Sequence, residues 1–76
     1  MNNSRRKRIN NSIATLTDAQ SKLQKALDEE KAALSKVPDT EENEDQREAL
    51  DEIISNLDDA LTSLGDALDT LNNADF

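Results

Sequence analysis

The sequence predicts an all-α protein, an antiparallel helical hairpin of the coiled-coil type that dimerises into a four-helix bundle. Apolar residues recur alternately three and four apart along two long stretches. This is the a/d pattern of a coiled coil, whose heptad positions are labelled a to g. The single proline, Pro38, separates the two stretches. Small apolar residues continue the stripe onto position g, so the apolar surface is wider than two helices can cover. We therefore expect a second hairpin to pack on the first.

The first stretch predicts a helix over about residues 4–36. Leu, Lys, Gln, Glu and Ala dominate its middle, and neither Gly nor Pro interrupts it. Ser4 or Asn3 would cap its start, and Pro38 ends it because proline disfavours helical geometry at Val37. Its a and d positions are Ile9, Ile13, Leu16, Gln20, Leu23, Leu27, Glu30, Leu34 and Val37, and its g positions are Ser12, Ala19, Ala26 and Ala33.

The second stretch predicts a helix over about residues 44–73, after a polar loop at about 37–43. Residues 1–76 thus form one helical-hairpin domain, which is short enough to need a partner for a sizeable core. The a and d positions of the second helix are Leu50, Ile54, Leu57, Leu61, Leu64, Leu68 and Leu71, and its g positions are Ile53, Ala60, Ala67 and Ala74.

Two local features of the second helix allow alternative interpretations. Asn43 with Gln46, or Asp39 with Glu42, would form the capping pair at its start. Gly65 costs the helix about 1 kcal/mol relative to alanine. It marks either a close approach of another backbone or a tolerated defect.

Because the loop is short, the two helices run antiparallel, and aligning their seams pairs residues whose numbers sum to 80 or 81. The expected pairs are Ile9 with Leu71, Ile13 with Leu68, Leu16 with Leu64, Gln20 with Leu61, Leu23 with Leu57 and Leu27 with Ile54. Near the loop we expect Glu30 and Arg47 to form an ion pair. At the other end we expect the N-terminal cations to lie beside Asp69 and Asp75.

The composition excludes several functional classes. The chain has no Cys and no His, so disulfides, zinc sites, imidazole bases and thiol nucleophiles are impossible. We expect no cofactor and no metal site. We also expect no enzyme activity, because the carboxylates lie on a solvated helix surface and no pocket would desolvate and pair them. No apolar run is long enough to cross a bilayer, and no hydrophobic segment follows the basic N-terminus. We therefore expect a cytoplasmic protein with no membrane partner.

Charge is distributed unevenly, and it suggests two candidate binding surfaces. Residues 1–38 carry eight Lys or Arg and four Asp or Glu, whereas residues 39–76 carry one Arg and thirteen Asp or Glu. The candidate basic patch is Arg5, Arg6, Lys7 and Arg8. The candidate partner-binding acidic face is Asp51, Glu52, Asp58, Asp59, Asp66 and Asp69, at positions b, e and f of the second helix. A solvated surface is the commoner meaning of such acids.

Parts of the sequence are similar to a group of small acidic two-helix hypothetical proteins of phages and prophages of Gram-positive bacteria. The resemblance rests on Leu27–Glu30, on Pro38 with its acidic linker, and on Ile54–Leu61, and it extends over about residues 5–72. It implies a phage setting, the host cytoplasm as location and an inhibitor directed at a host protein. It implies no catalytic or ligand-binding residue.

Three functions compete at this point. The first is a non-enzymatic protein-interaction module, a homodimeric bundle that binds and inhibits or redirects a host or defence protein. The second is an acidic DNA mimic that acts on a DNA-binding protein through its negative helix face. The third is a Rop-like hairpin that binds nucleic acid through the basic N-terminus. Nucleic acid is the less favoured partner, because the acidic half repels phosphate.

Overall fold

The computed structural model describes residues 2–74 and forms an all-α hairpin. Helix α1 spans Asn3–Ser35 and helix α2 spans Glu44–Asn73. A single 3-10 turn, Glu41–Asn43, lies in the connection between them. Within residues 2–74 there is no strand, so the prediction of an all-α helical hairpin is confirmed.

Helix α1 begins one residue earlier than its sequence suggests. Asn2 has an extended backbone, and its Oδ1 accepts a hydrogen bond from the Arg5 N–H at 2.8 Å. Asn2 is therefore the N-cap, and the predicted caps Ser4 and Asn3 were wrong because both lie inside the first turn. An N-cap side chain of this kind satisfies one amide that has no partner within the helix.

The connection ends α1 and starts α2 by backbone hydrogen bonds. The amides of Lys36 and Val37 donate to the carbonyls of Ala33 and Leu34, each at 3.1 Å, just before Pro38. The 3-10 turn then leads directly into α2.

Asn43 occupies the predicted N-cap position of α2, but neither predicted capping pair forms. Asn43 does precede the helix, but its Nδ2 donates to Thr40 Oγ1 at 2.9 Å and its side chain makes no cap hydrogen bond. The 3-10 turn holds Asn43 near φ −104 and ψ 6. The extended backbone that an N-cap normally has is absent there. Asp39 lies five residues before α2 and contacts Arg47 instead.

The two helices lie side by side in a thin rod with extents of 60 × 15 × 13 Å. Its radius of gyration is 17.6 Å, compared with about 11 Å for a compact domain of this length. All the a and d positions given above are half-buried or buried, as the heptads predict. Only Leu27 and Leu68 are buried among the described residues, with 2% and 5% of their surface exposed.

Open grooves along the rod agree with the expected register. Ile9 and Leu71 line one groove together at the open end of the hairpin, and Gln20 and Leu61 line another near its middle. Both pairs have residue numbers that sum to 80 or 81. In this register, partly exposed seam leucines occur along the full length of the rod.

One predicted ion pair is replaced by another. Arg47 does not pair with Glu30; its Nη1 donates to the Val37 carbonyl at 2.6 Å, and its Nε lies 3.7 Å from Asp39 Oδ1. The carbonyl that Arg47 reaches belongs to the second residue after α1. Arg47 therefore ties the start of α2 to the end of α1.

Candidate protein-interaction surface

Charge is strictly segregated around α2. Ten of its thirty residues are charged, and none of them occupies position c or g. A helix turns by 100° per residue, so c and g form one continuous stripe beside the d leucines. We call this stripe the uncharged face. It consists of Gln46, Ala49, Ile53, Asn56, Ala60, Ser63, Ala67 and Thr70, all of which are exposed.

The e and b positions of the two helices share one side of the hairpin. Ser21 and Gln24 of α1 line a groove together with Asp58 and Thr62 of α2. The g positions of both helices therefore share the opposite side. This places the g residues of α1 next to the uncharged face of α2.

The side that carries the g positions exposes small apolar side chains and one large one. Ala19 and Ala26 of α1 are half-buried there, and Ala60 and Ala67 of α2 are exposed. Ile53 is the one large hydrophobic side chain of the described range that is classed as exposed, at 44%. We call this surface, made of the uncharged face and of Ser12, Ala19, Ala26 and Ala33, the g-side surface.

The g-side surface ends at a groove beside the N-terminus of α1. Ile9, Ser12 and Leu71 line this groove, and Arg5 and Arg8 lie at its edge. Apolar carbon and two guanidinium groups thus meet at the open end of the hairpin. Arginine is suited to such an edge, because its stem packs on apolar carbon while its charged head stays in water.

The acidic face lies away from the g-side surface. All six predicted members are exposed: Asp51, Glu52, Asp58, Asp59, Asp66 and Asp69. Within residues 2–74 none of these carboxylates makes an ion pair or accepts a side-chain hydrogen bond. From Glu48 to Ala74 the chain contains no cation, so the field of this face is uniformly negative.

The basic patch is also exposed, and the expected pairing with Asp69 is not observed. Arg5, Lys7 and Arg8 make no ion pair with Asp69 in the part of the chain that the structure describes. Asp75, the other expected partner, lies outside the described residues. Ion pairs with Asp69 therefore do not fix the register of the hairpin.

The described range contains neither a cluster of metal-binding side chains nor a helix that could span a membrane. Residues 2–74 contain no group of three or more carboxylates positioned to hold a metal ion. Neither helix in this range is long and apolar enough to cross a membrane. The grooves are open channels along the rod, and a carboxylate such as Asp58 stays exposed where it lines one.

Comparisons with protein families, with curated proteins and with solved structures found no match. The resemblance to small phage proteins therefore stays a prediction. The heptad pattern predicts the apolar g edge but not the uncharged c positions Asn56, Ser63 and Thr70 beside it. The missing signal was the absence of charge at every seventh residue, which can be read from the sequence without coordinates.

Proposed function

We propose that this protein is a non-enzymatic protein-interaction module that binds another polypeptide through its g-side surface. The observation that carries the proposal is the burial pattern. Within the described range a chain with fifteen Leu, Ile and Val residues buries only Leu27 and Leu68. The remaining seam residues are partly exposed, and the g-side surface beside them carries no charge on α2.

A partner helix would gain stability from covering this surface. Burial of apolar surface contributes about 25 cal/mol per Å², and an exposed isoleucine such as Ile53 adds a large part of its side chain to such an interface. Alanine at positions g lets a partner backbone come close, because its side chain ends at Cβ. Interfaces are marked by a core depleted of charge, as is the uncharged face.

A protein target in a phage setting fits this proposal. The resemblance of the sequence implies a small inhibitor of a host or defence protein, and an inhibitor needs only to bind. The partly exposed seam and the g-side surface would supply the binding surface, and binding would block or redirect the target without any catalytic group.

Acidic DNA mimicry is the second candidate, and the segregation of charge favours it. The six carboxylates of the acidic face occupy a cation-free side of a 30-residue helix. Such a helix is about 45 Å long at the usual rise per residue. A negative rod of this length could occupy the positively charged groove of a DNA-binding protein.

Capture of partners with two surface variants tests the interaction module. Tagged protein is used to capture partners from the lysate of a Gram-positive bacterium, with Ile53→Asp as the test of the g-side surface. Thr62→Asp is the matched control, because it adds the same charge on the e and b side. A partner that binds the parent and Thr62→Asp but not Ile53→Asp supports the interaction module. A partner that binds all variants equally contradicts it.

The acidic face is tested by replacing Asp51, Asp58 and Asp69 with Asn in one chain. If the protein mimics DNA, this variant loses its partner, and binding of the parent weakens steeply with salt, since exposed charges are screened over about 10 Å at 0.1 M. Salt-insensitive binding by the triple variant removes DNA mimicry.

A further inference from the structure

We propose that the occupant of the g-side surface is a second copy of this chain, packed with its loop at the same end. The inference rests on the proposed function and names a second copy, in place of a host protein, as the polypeptide that the surface binds. In the resulting bundle the two-fold axis runs parallel to the helices, and α1 of each copy packs on α2 of the other.

The size of the uncovered surface is that of a dimer interface. The chain exposes 5726 Å², whereas a compact monomer of 8.4 kDa exposes about 4,600 Å². The excess of roughly 1,100 Å² is near the roughly 800 Å² that each partner contributes to an interface of standard size. Packing two rods side by side would remove surface of this order from water.

The shapes of the two g edges complement each other in this arrangement. An axis parallel to the helices keeps every residue at its own height, so residues whose numbers sum to about 80 are again level. Ile53, the largest residue of the surface, then lies level with Ala26 of the second copy. Ala60 lies level with Ala19 of the second copy. A large residue faces a small one twice, once in each half of the dimer.

Charge selects this orientation over the alternative. Helix α1 carries seven cations and four anions, whereas α2 carries one cation and nine anions. With both loops at one end, every neighbouring pair of helices in the bundle is an α1 beside an α2. With the loops at opposite ends, α2 lies beside α2 and α1 beside α1, and like charges meet along both contacts.

Pairs of charged residues at the edge of the dimer interface favour the same orientation as the net charges of the helices. Lys22 lies level with Asp59 of the second copy, and Lys36 with Asp45, each pair crossing from position c to position f. Lys22 is largely exposed, and its present partner is Asp18 one turn earlier, at 3.0 Å. Glu29 beside Glu52 is the one like pair among these rim positions.

The opposite orientation places residues of like charge beside each other at the same edge of the interface. When two rods overlap fully with loops at opposite ends, Lys22 lies level with Lys22 of the second copy. Asp59 likewise lies level with Asp59. Arg8 lies level with Lys36. The loop-together dimer therefore has the better electrostatic complementarity, and its acidic faces stay on the outside.

Cysteine cross-linking tests the orientation directly, because the chain has no cysteine of its own. Purified Ala26→Cys and Ile53→Cys variants are mixed, unfolded, refolded together and oxidised. A disulfide needs Cα atoms about 4.4–6.8 Å apart, a distance that facing helices reach and diagonal helices do not. We expect a covalent dimer from the mixture and little from either variant alone. A covalent dimer from Ala19→Cys mixed with Ala26→Cys, and none from the first mixture, overturns the orientation.

Charge reversal gives a second measurement that leaves the apolar surface intact. Lys22→Glu alone and Asp59→Lys alone should each raise the dimer Kd about 2- to 30-fold, because each reversal affects two exposed pairs. The double variant should recover the Kd of the parent. No recovery in the double variant contradicts the proposed pairing.

Sedimentation of the purified protein over a range of concentrations separates this inference from the proposed function. A monomer at every concentration overturns the second copy, while capture of a partner that depends on Ile53 would still support the interaction module. A dimer that captures no further protein supports the second copy as the sole occupant.

Discussion

Leu27 and Leu68 are the two side chains of the described range that the hairpin shields from water without help. Leu27→Ala should therefore lower the free energy of unfolding by about 2–5 kcal/mol, through lost burial and a residual cavity. Ser55→Ala, on the exposed b position of α2, is the control and should change it by less than about 0.5 kcal/mol. Urea unfolding followed by circular dichroism measures both. Equal, small effects at the two sites would mean that the seam is misplaced.

Gly65 gives a prediction of the opposite sign. A Cβ built on it would meet Gln20 Nε2 at 3.6 Å, which is ordinary van der Waals contact with the end of a flexible side chain. Among residues 2–74 no neighbouring backbone atom requires a glycine there, which favours the interpretation of Gly65 as a tolerated defect. Gly65→Ala should raise the free energy of unfolding by up to about 1 kcal/mol.

The matched control for Gly65→Ala is Ala14→Gly, an exposed position in the interior of α1, which should lower stability by about the same amount. Thermal unfolding of both variants at one protein concentration is the measurement. A loss of stability in Gly65→Ala would show that something outside the hairpin approaches this position closely.

At the scale of the elements, Arg47 joins the two helices at the loop. Its guanidinium donates to the carbonyl of Val37, which lies two residues beyond the end of α1. Hydrogen bonds to charged groups contribute about 1.5–3 kcal/mol, so Arg47→Ala should lower the free energy of unfolding by an amount in that range. Asp39→Asn should change little, because Asp39 is 94% exposed and its pairing is screened.

Hydrogen exchange distinguishes a local effect of Arg47→Ala from a global one. If Arg47 ties the loop to α2, amides of Lys36 to Asp45 should exchange faster in the variant than amides in the middle of either helix. Uniform acceleration along both helices would contradict the local role.

The sequence predicts the elements well and their ends poorly, for physical reasons. The seam follows from a periodicity repeated over some thirty residues per helix, so errors at single positions average out. Pro38 acts through its own ring and needs no context. The position of a cap depends on the backbone conformation of one residue. Asn2, Asn3 and Ser4 all have side chains that are favoured at an N-cap, so residue type alone does not choose between them.

The contacts of long charged side chains were predicted least well. Arg47 and Glu30 lie about one helical turn apart in the register, and the Val37 carbonyl offers Arg47 a fixed acceptor at less entropic cost than a second flexible side chain. The candidate surface could be predicted in part, because the g positions belong to the heptad. The acidic face was predicted in full as an exposed surface, since charge on b, e and f faces water in any two-helix coil.

At the scale of the whole molecule, the rod is thin enough that its stability should depend on protein concentration. A hairpin that is 15 × 13 Å in cross-section has no interior beyond a single seam. If a second copy covers the g-side surface, association stabilises the folded state by mass action. The Tm of the parent should then rise as the protein is concentrated from micromolar to millimolar.

Ile53→Asp should abolish this concentration dependence and leave the hairpin folded. Ile53 is 44% exposed in the hairpin, so losing it affects the seam less than it affects the contact with a second copy. Buried in the dimer, the new carboxylate would have no cation to pair with, and an unpaired buried charge strongly disfavours association. Thr62→Asp adds the same charge outside the interface and should keep the behaviour of the parent. A Tm that is independent of concentration in the parent would mean that the seam alone stabilises the hairpin, and that the g-side surface serves a different polypeptide.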